Sequence, residues 1–398
     1  MNHLARTVYF AIAFLLTIAS NAQHTEPLEQ LLDRTIQRAC KQAKIMAQNL
    51  EKQKEALPRT FENGKITTCR YNNWVSGFFP GVLWMLYEET RQEEFLHYAK
   101  LYTARVEPAK QMKSTHDLGF MLYCSYGNGF RITNNAQYFK VIQEGTESLL
   151  TRWNPKLGVM RSWDFNKEWQ FPVIIDNMMN LEMLCFMTEQ TGLPIYREIA
   201  EKHANTTIKN HFRPDYSTYH VVSYDTISLK PHAKHTAQGH AHSSAWARGQ
   251  AWGLYGYTMM YRMTHKKTYL QQARRIAQYI TEHNNLPSDK IPYWDFNAPD
   301  IPHSLRDASA GAIMASALLE LSQLDKSRKA KLWRNVAIEQ IRTLSSEAYL
   351  AKEAENGGFI LKHGVGHKPN NTEIDVPLTY ADYYFIEALL RLKKILED

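Results

Sequence analysis

Two kinds of helix alternate along this chain of 398 residues, and the alternation restricts the folds that it can adopt. Apolar residues recur at intervals of three and four, which predicts helices, whereas the strict alternation typical of strands is nearly absent. The first kind is amphipathic and charged, so it should face solvent. We expect these helices at 28–55, 92–107, 135–151, 195–210, 267–284 and 327–346.

The second kind of helix is apolar on nearly every face and rich in small or aromatic residues, which predicts burial. Six buried helices that alternate with six solvent-facing ones predict an all-α fold, an (α/α)6 barrel with an inner and an outer ring. The spacing of the inner helices is too long and irregular for a solenoid, and no linker interrupts it, so we expect a single domain at 23–398. The inner helices should begin near Val75, Leu118, Asn177, Ser244, Ala308 and Ala381.

Residues 1–22 have the layout of a secretory signal peptide. Arg6 precedes an apolar run from Val8 to Ile18, and small residues follow at Ser20 and Ala22. The run is too short to span a bilayer as a helix. We therefore expect cleavage after Ala22 and export to the periplasm, with a retained membrane anchor as the alternative.

The charge balance favours anionic partners. The formal net charge is +7, which suits nucleic acid, membrane or acidic polysaccharide. Export makes nucleic acid the least expected of these, and no block of Lys and Arg or basic stripe appears. We expect an oligosaccharide substrate, no nucleic-acid or membrane partner, and a monomer or weak homodimer.

Four cysteines are too few and too scattered for a disulfide scaffold. Cys124 and Cys185 lie inside apolar helical runs and should be packed thiols. A bridge between Cys40 and Cys69 stays open, because an exported protein meets an oxidising compartment.

Aspartates stand at or near the first turn of four inner helices. An N-cap is a sufficient explanation for each of them alone. Two carboxyl groups at close range, however, raise the pKa of one of them, and paired carboxyl groups are the means of glycoside hydrolysis. Asp117 and Asp176 lie on consecutive inner helices and form the natural pair. The other two are Asp307, which we expect to be a cap because small residues follow it, and Asp382.

Aromatic and basic residues near the entrances of the inner helices suggest a sugar site. Arg248 and Trp252 are four residues apart and share a helix face, so they could bind a carboxylate and a sugar ring. An internal salt bridge from Arg248 to an inner-ring Asp is the alternative. Trp74 is either a sugar platform or a core aromatic. The long loops 152–175, 211–243, 285–307 and 347–379 are rich in Trp, Tyr and His, which favours a functional role.

Four histidines in the loop PHAKHTAQGHAHSS raise the question of a metal. They are His232, His235, His240 and His242. No carboxylate or cysteine is nearby in sequence and the HExxH motif is absent, so contact with a glycan or anion is favoured over a metal site.

The motifs of this chain resemble those of the unsaturated glucuronyl hydrolases, glycoside hydrolase family 88. They fall in family order through most of the chain: YNNWVSGFFPG, THDLGF, DNMMNLE, WARGQAWGLYGY, YWDFN…RDASAGAI and HGVGHKPNN…ADYYFIEALLR. The resemblance implies an (α/α)6 barrel that acts on oligosaccharides left by polysaccharide lyases. Such oligosaccharides carry a 4,5-unsaturated uronic acid at the non-reducing end. No metal or organic cofactor is implied.

The resemblance also implies roles for individual residues. Asp176 would protonate C4 of the C4=C5 vinyl ether and then deprotonate the water that attacks C5, with Asp117 as the second carboxylate. Substrate contacts would come from Trp74, His116, Trp163, His220, Gln238, Arg248, Trp252 and Lys368. One departure is Gly366 in HGVGHKP, where some members carry a segment that contacts the sugar or a sulfate; this leaves the sulfate preference open.

Three other functions remain open from the sequence. A related unsaturated rhamnogalacturonyl hydrolase would act on pectin fragments with the same barrel. A non-catalytic glycan-binding barrel would be expected to lack one of the two carboxylates, and both are present. A lyase that cleaves intact polysaccharide would need a Tyr/His or metal-assisted base, and no such arrangement stands out.

Overall fold

The computed structural model describes residues 26–164 and 168–398, so the expected signal peptide lies outside the described residues. The outer helices are α1 (Leu28–Leu50), α3 (Glu93–Val106), α5 (Ala136–Leu150), α7 (Ile195–His211), α9 (Lys267–Glu282) and α11 (Lys329–Leu344). The inner ones are α2 (Phe78–Thr90), α4 (Asn128–Thr133), α6 (Leu181–Thr191), α8 (Ala247–Thr264), α10 (Ala308–Leu324) and α12 (Thr379–Glu397).

Two of the inner helices begin in an unusual form. A π-helix, Gly119–Gly127, runs directly into α4, and a 3-10 helix, Ile175–Asn180, runs into α6. Two further 3-10 turns, Glu107–Gln111 and Asn356–Gly358, lie in connections. π-Helical turns are rare and occur often at functional sites. Each irregular segment is close to an aspartate: the π-helix begins two residues after Asp117, and the 3-10 helix contains Asp176.

The inner helices form a closed ring. In ring order α2 packs on the π-helix, the π-helix on the 3-10 segment of the third inner helix, that segment on α8, α8 on α10, α10 on α12, and α12 on α2. Every residue of α10 from Ala308 to Leu319 is buried, whereas the outer helices bury one face only. The predicted (α/α)6 barrel is confirmed, and apolar helices inside amphipathic ones are its physical cause.

Nine short strands form small sheets in the connections. They are β1 (Leu57–Glu62), β2 (Lys65–Cys69), β3 (Trp153–Asn154), β4 (Val159–Met160), β5 (Pro172–Ile174), β6 (Val221–Tyr224), β7 (Pro231–His235), β8 (Gly364–His367) and β9 (Thr372–Val376). The sheets are β1–β2, β3–β4, β5–β6–β7 and β8–β9, each pair antiparallel. These strands were not predicted, because such short segments show too little alternation of polar and apolar residues.

One of these hairpins had a recognisable signal. Asn63 and Gly64 connect β1 to β2, and both have positive φ, 53° and 75°. An Asn-Gly pair between two strands is the preferred sequence for the tight turn that matches the strand twist.

The predicted helix 28–55 ends earlier than expected, at Leu50.

All four cysteines are free, so the open question of a Cys40–Cys69 bridge is answered in the negative here. Cys124 and Cys185 are buried, as predicted for packed thiols. Within residues 26–164 and 168–398, no helix has the length and apolar character needed to cross a bilayer.

Candidate active site

The three-stranded sheet β5–β6–β7 places Asp176. The strand β5 ends at Ile174, and Asp176 is the second residue of the 3-10 helix that follows. The Ile175 amide donates to the carbonyl of His220, 3.0 Å away, which extends the pairing of β5 with β6 by one step. Strand pairing therefore brings His220, which is 44 residues further along the chain, beside Asp176.

Asp117 lies just ahead of the π-helix with both of its carboxylate oxygens near polar groups. The Thr115 hydroxyl donates to Asp117 Oδ2 at 2.7 Å. His116 Nε2 lies 3.2 Å from Asp117 Oδ1. The Asp117 side chain is 14% exposed, so it can still reach a ligand.

Asp117 and Asp176 line the same cavity, which has a volume of about 580 Å³. That size suits a small ligand such as a disaccharide. The cavity opens at the end of the barrel where the inner helices begin, as expected for the mouth. Four of the predicted substrate-binding residues also line it: Trp74, Trp163, Gln238 and Arg248.

The other four predicted substrate-binding residues are not on the cavity wall. His116 and Trp252 have no exposed surface, and His220 is 2% exposed. Trp252 packs edge-on against Tyr384, 5.4 Å between ring centroids, and beside Phe120 at 5.1 Å. The helix face shared with Arg248 points towards the barrel axis, so Trp252 lies beneath the cavity. Lys368 is partly exposed but lies outside the cavity lining, where His367 and Asn370 stand instead.

Burial raises the pKa of Asp176 to about 7. The negative charge of Asp117 adds to this rise, whereas Arg248 and the Trp252 indole oppose it. Asp176 Oδ2 is buried and has no hydrogen-bond partner among the described residues. A carboxyl group in such surroundings holds a proton near neutral pH, which is the property of a general acid.

His220 is a neutral neighbour of Asp176. Burial is the main cause that lowers the pKa of His220 far below its ordinary value. Its Nδ1 accepts from the Ala237 and Gln238 amides at 3.2 and 3.3 Å, so the ring proton is on Nε2. That Nε2 is 3.7 Å from Asp176 Oδ2, too long for a hydrogen bond. His220 thus presents a donor next to the acid.

Arg248 is held by internal partners. It forms a salt bridge to Asp307 at 3.0 Å and donates to the carbonyls of Val365 and Gly366 at 2.6 and 2.7 Å. The internal salt bridge considered from the sequence is therefore present. Arg248 nevertheless lines the cavity, and its charge acts on Asp176. Direct contact with a substrate carboxylate stays a prediction.

The two remaining aspartates have structural partners. Asp307 caps α10 by accepting from the Ser309 amide at 3.0 Å, as predicted. Asp382 accepts instead from the amides of Ile360 and Leu361, at 2.9 and 2.8 Å, which fastens the loop 347–379. Burial also raises the pKa of Asp382 to about 7, but Asp382 does not line the cavity. A raised pKa alone therefore does not identify the acid.

Several lining residues were not singled out from the sequence. They are Glu168, Trp169, Ile174, Thr236, Ala237, His367 and Asn370, whereas the lining residue His242 was one of the four loop histidines considered from the sequence. Trp169 and His242 lie in loops already noted for their aromatic and histidine content, and that composition was the available signal. Which of the many loop residues face the cavity depends on the β5–β6–β7 pairing.

Two of the four loop histidines pack on each other, and the other two have separate surroundings. The rings of His235 and His242 stack at 4.2 Å, His232 Nε2 lies 2.9 Å from Ser223 Oγ, and His240 meets Trp294 edge-on. In the part of the chain that the structure describes, no three His, Cys, Asp or Glu side chains are grouped as metal ligands.

A second cavity, of about 650 Å³, lies at the opposite end of the barrel. Its charged lining includes Arg262 and Arg391, which pair with Glu182 and Glu320 at 2.7 and 2.9 Å. None of the predicted site residues lines it. The smaller cavity with the two aspartates is therefore the candidate active site.

Residues 35–391 match the family model described as Glycosyl Hydrolase Family 88. The chain belongs to this family. An unsaturated glucuronyl hydrolase of Formosa agariphila is 50% identical over 326 residues, 81% of each chain. A crystal structure described as an unsaturated glucuronyl hydrolase specific for heparin has a TM-score of 0.90 and 46% identity, and the match covers 93% of this chain and 99% of that one.

A third family 88 relative was solved with a ligand. It is an Asp-to-Asn mutant of the unsaturated glucuronyl hydrolase from Streptococcus agalactiae, complexed with dGlcA-GalNAc6S. It has a TM-score of 0.78 and 27% identity, with 91% of each chain covered.

Proposed function

We propose that this family 88 chain releases the 4,5-unsaturated uronic acid from the non-reducing end of glycosaminoglycan oligosaccharides, with Asp176 as the acid. The observation that carries the assignment of Asp176 is its pKa of about 7 in a cavity that it shares with Asp117. The relatives support the substrate class, since an unsaturated glucuronyl hydrolase is 50% identical over 326 residues and another, described as specific for heparin, is 46% identical.

The reaction begins when protonated Asp176 gives its proton to C4 of the vinyl ether. Positive charge then develops at C5 and the ring oxygen. Water adds at C5, and the Asp176 carboxylate takes a proton from that water, which restores the acid. The resulting hemiketal opens the ring and leaves a hemiacetal at C1, from which the remaining glycan departs as an alcohol.

Neighbouring residues support these steps by charge and position. The Asp117 carboxylate lines the same cavity, where it can stabilise the cation that develops at C5 and accept hydrogen bonds from sugar hydroxyls. His220 Nε2 lies 3.7 Å from Asp176 Oδ2, so this neutral ring presents a donor to the side of the acid without adding a charge. Trp74 and Trp163 provide aromatic surface in the cavity wall for the sugar ring.

The test of the acid is the variant Asp176→Asn, assayed by the loss of the ultraviolet absorbance of the C4=C5 bond. We expect this variant to fold and to lose activity at least about 10³-fold, because an amide cannot deliver the proton. Asp300→Asn is the matched control, since Asp300 is exposed and outside the cavity. Full activity in Asp176→Asn would contradict the assignment.

The activity should also depend on pH through this group. A general acid must be protonated, so kcat/KM should fall as the pH rises through about 7, the pKa of Asp176 in the free protein. Rates measured from pH 5 to 9 on one unsaturated disaccharide test this expectation. A rate that rises steadily to pH 9 would argue against Asp176 as the acid.

We propose heparin-derived disaccharides as the preferred substrates, because the 46% identical relative is described as specific for heparin. A panel of lyase-generated disaccharides from heparin and chondroitin, each with and without sulfate, would rank them by kcat/KM. A pectin-derived unsaturated disaccharide in the same panel tests the rhamnogalacturonyl alternative. Binding without turnover across the panel would support a non-catalytic glycan-binding barrel instead.

We propose that the enzyme acts in the periplasm after cleavage following Ala22. The proposal rests on the sequence pattern of residues 1–22. Cell fractionation with N-terminal sequencing of the purified protein tests it, and a protein that retains Met1 in the membrane fraction would contradict it. Sedimentation of the same material tests the expected monomer or weak homodimer.

A further inference from the structure

A chain of buried polar side chains connects the two elements that carry Asp117 and Asp176. His116 precedes Asp117 and has no exposed surface; its Nε2 lies 3.2 Å from Asp117 Oδ1, a close charge–dipole contact rather than a hydrogen bond. On the other side of the ring, His116 Nδ1 lies 3.4 Å from Asn180 Nδ2. Asn180 is the last residue of the 3-10 helix that contains Asp176.

The orientation of the Asn180 amide is fixed by a backbone partner. Asn180 Oδ1 accepts from the Phe120 amide in the first turn of the π-helix, at 3.2 Å. The amide nitrogen therefore faces His116 and can only donate, so Nδ1 of the ring must accept and the ring proton is on Nε2, towards Asp117. Burial is the largest influence on the pKa of His116 and lowers it, which keeps the ring neutral.

The spacing between the two elements depends on the same amide. A Cβ at Gly119 would lie 2.6 Å from Asn180 Oδ1 and 2.7 Å from its Cα, so the π-helix approaches the 3-10 helix this closely only with glycine there. The buried contact thus sets where the first turns of the two helices stand relative to each other.

We propose that His116 is a positioning residue, held by Asn180, that presents its Nε2 edge to Asp117 at 3.2 Å and by this contact fixes the Asp117 carboxylate relative to Asp176. The inference rests on the proposed roles of the two aspartates and adds a residue that does not touch the substrate. It replaces the sequence-based expectation that His116 binds the sugar.

The consequence of this role is chemical as well as geometric. The negative charge of Asp117 contributes to the raised pKa of Asp176, and Arg248 is the charged group that opposes it. His220, the other titratable group near Asp176, is neutral. If the Asp117 carboxylate turns away, the pKa of Asp176 should fall, and Asp176 should lose its proton at a lower pH.

Two substitutions separate the two nitrogens of the ring. In His116→Gln the side-chain amide nitrogen can reach the position of Nε2 and keep an N–H group beside Asp117. In His116→Asn the shorter amide reaches only the position of Nδ1, towards Asn180. We expect His116→Asn to lose about 10- to 100-fold in kcat, as for a catalytic group displaced by about 1 Å, with KM changed less than about 3-fold. His116→Gln should recover most of that loss.

The pH profile distinguishes positioning from a merely structural role. The fall of kcat at high pH should begin at a lower pH in His116→Asn than in the wild type, and at the wild-type pH in His116→Gln. Asn180→Ala is a second variant for the case that His116→Asn does not fold. It frees the ring and should shift the profile in the same direction.

Two results would overturn the role of His116. One is an unchanged kcat and pH profile in folded His116→Asn, and the other is a raised KM with unchanged kcat, as expected of a substrate contact. Asp176→Asn is assayed beside them. If Asp176→Asn retains activity, both the assignment of the acid and the role of His116 are wrong. If Asp176→Asn is inactive and His116→Asn is fully active, only the positioning role is wrong.

Discussion

At the scale of single residues, the proposed chemistry depends on a carboxyl group placed where its charged form is disfavoured. Asp176 is 8% exposed, and one of its oxygens has no partner within the described chain. Such a group lowers the stability of the folded protein, and the rest of the fold must compensate for it. The same surroundings shift its pKa towards the value that acid catalysis needs.

The raised pKa of Asp176 predicts a pH-dependent effect on stability. Between the ordinary value of 3.8 and about 7, the folded state binds more protons than the unfolded state, so stability falls as the pH rises through this window. Asp176→Asn removes this contribution. We expect it to be more stable than the wild type at pH 8, by on the order of 1–3 kcal/mol, and similar at pH 4.

Calorimetry of Asp176→Asn and Asp300→Asn at both pH values measures this effect. The exposed Asp300 should give no pH-dependent difference. If the stability difference between Asp176→Asn and the wild type were smaller at pH 8 than at pH 4, the predicted direction of the pH effect would be wrong. Asp382 contributes in the same direction and remains in both variants.

Arg248 should be among the residues most important for stability. Its partners are the buried Asp307 and two carbonyls of β8, so Arg248→Met leaves a buried charge without its counterion. We expect a loss of about 3–5 kcal/mol in the free energy of unfolding. Arg70→Met is the matched control, because the Arg70–Glu55 pair is 61% and 58% exposed and should contribute less than about 1 kcal/mol. Denaturant titration measures the free energy of unfolding of both variants. Equal losses would contradict the importance of the buried ion pair.

At the scale of elements, the position of the acid depends on how α8 packs against the 3-10 helix Ile175–Asn180. Three glycines of α8, Gly249, Gly253 and Gly256, face that helix. A Cβ at Gly256 would lie 2.5 Å from the Met178 Cβ, whereas a Cβ at Gly253 would lie 3.6 Å from the nearest atom of Ile175, an ordinary contact. The same residue type is therefore required at one position and optional at the other.

This difference predicts opposite effects of one substitution. Gly256→Ala must displace Met178, two residues from Asp176, so we expect a loss of about 1–3 kcal/mol in stability and a lower kcat. Gly253→Ala should keep kcat and gain up to about 1 kcal/mol from helix propensity. Thermal unfolding and steady-state kinetics of the two variants measure both effects. A harmless Gly256→Ala would mean that the 3-10 helix can move without affecting the acid.

At the scale of the whole molecule, the positive net charge should assist the capture of anionic substrates. The formal charge is +7, and charges further apart than about 10 Å are screened at 0.1 M salt. Electrostatic attraction to a sulfated disaccharide should therefore weaken with added salt more than attraction to an unsulfated one. Measurements of kcat/KM between about 0.01 and 0.3 M NaCl test this. An equal decrease for both substrates would exclude a role for the overall charge.

The sequence by itself determined the architecture and indicated the two aspartates that we propose as the acid and its partner. Helix periodicity with two classes of helix gives the (α/α)6 barrel, because an all-round apolar helix can only be buried and an amphipathic one must cover it. Asp117 and Asp176 were found because they begin consecutive inner helices, and a closed ring places the starts of its neighbours side by side.

Only the tertiary structure decided which neighbours act on the acid. His220 reaches Asp176 through antiparallel strand pairing, and Arg248 is taken up by Asp307 and β8, contacts between residues far apart in the chain. Trp252 and His116 were assigned to the substrate by motif, yet both are buried behind the cavity. Periodicity specifies which face of a helix is apolar, but the distinction between a cavity wall and the layer beneath it depends on the depth to which neighbouring elements pack, and no local pattern encodes that depth.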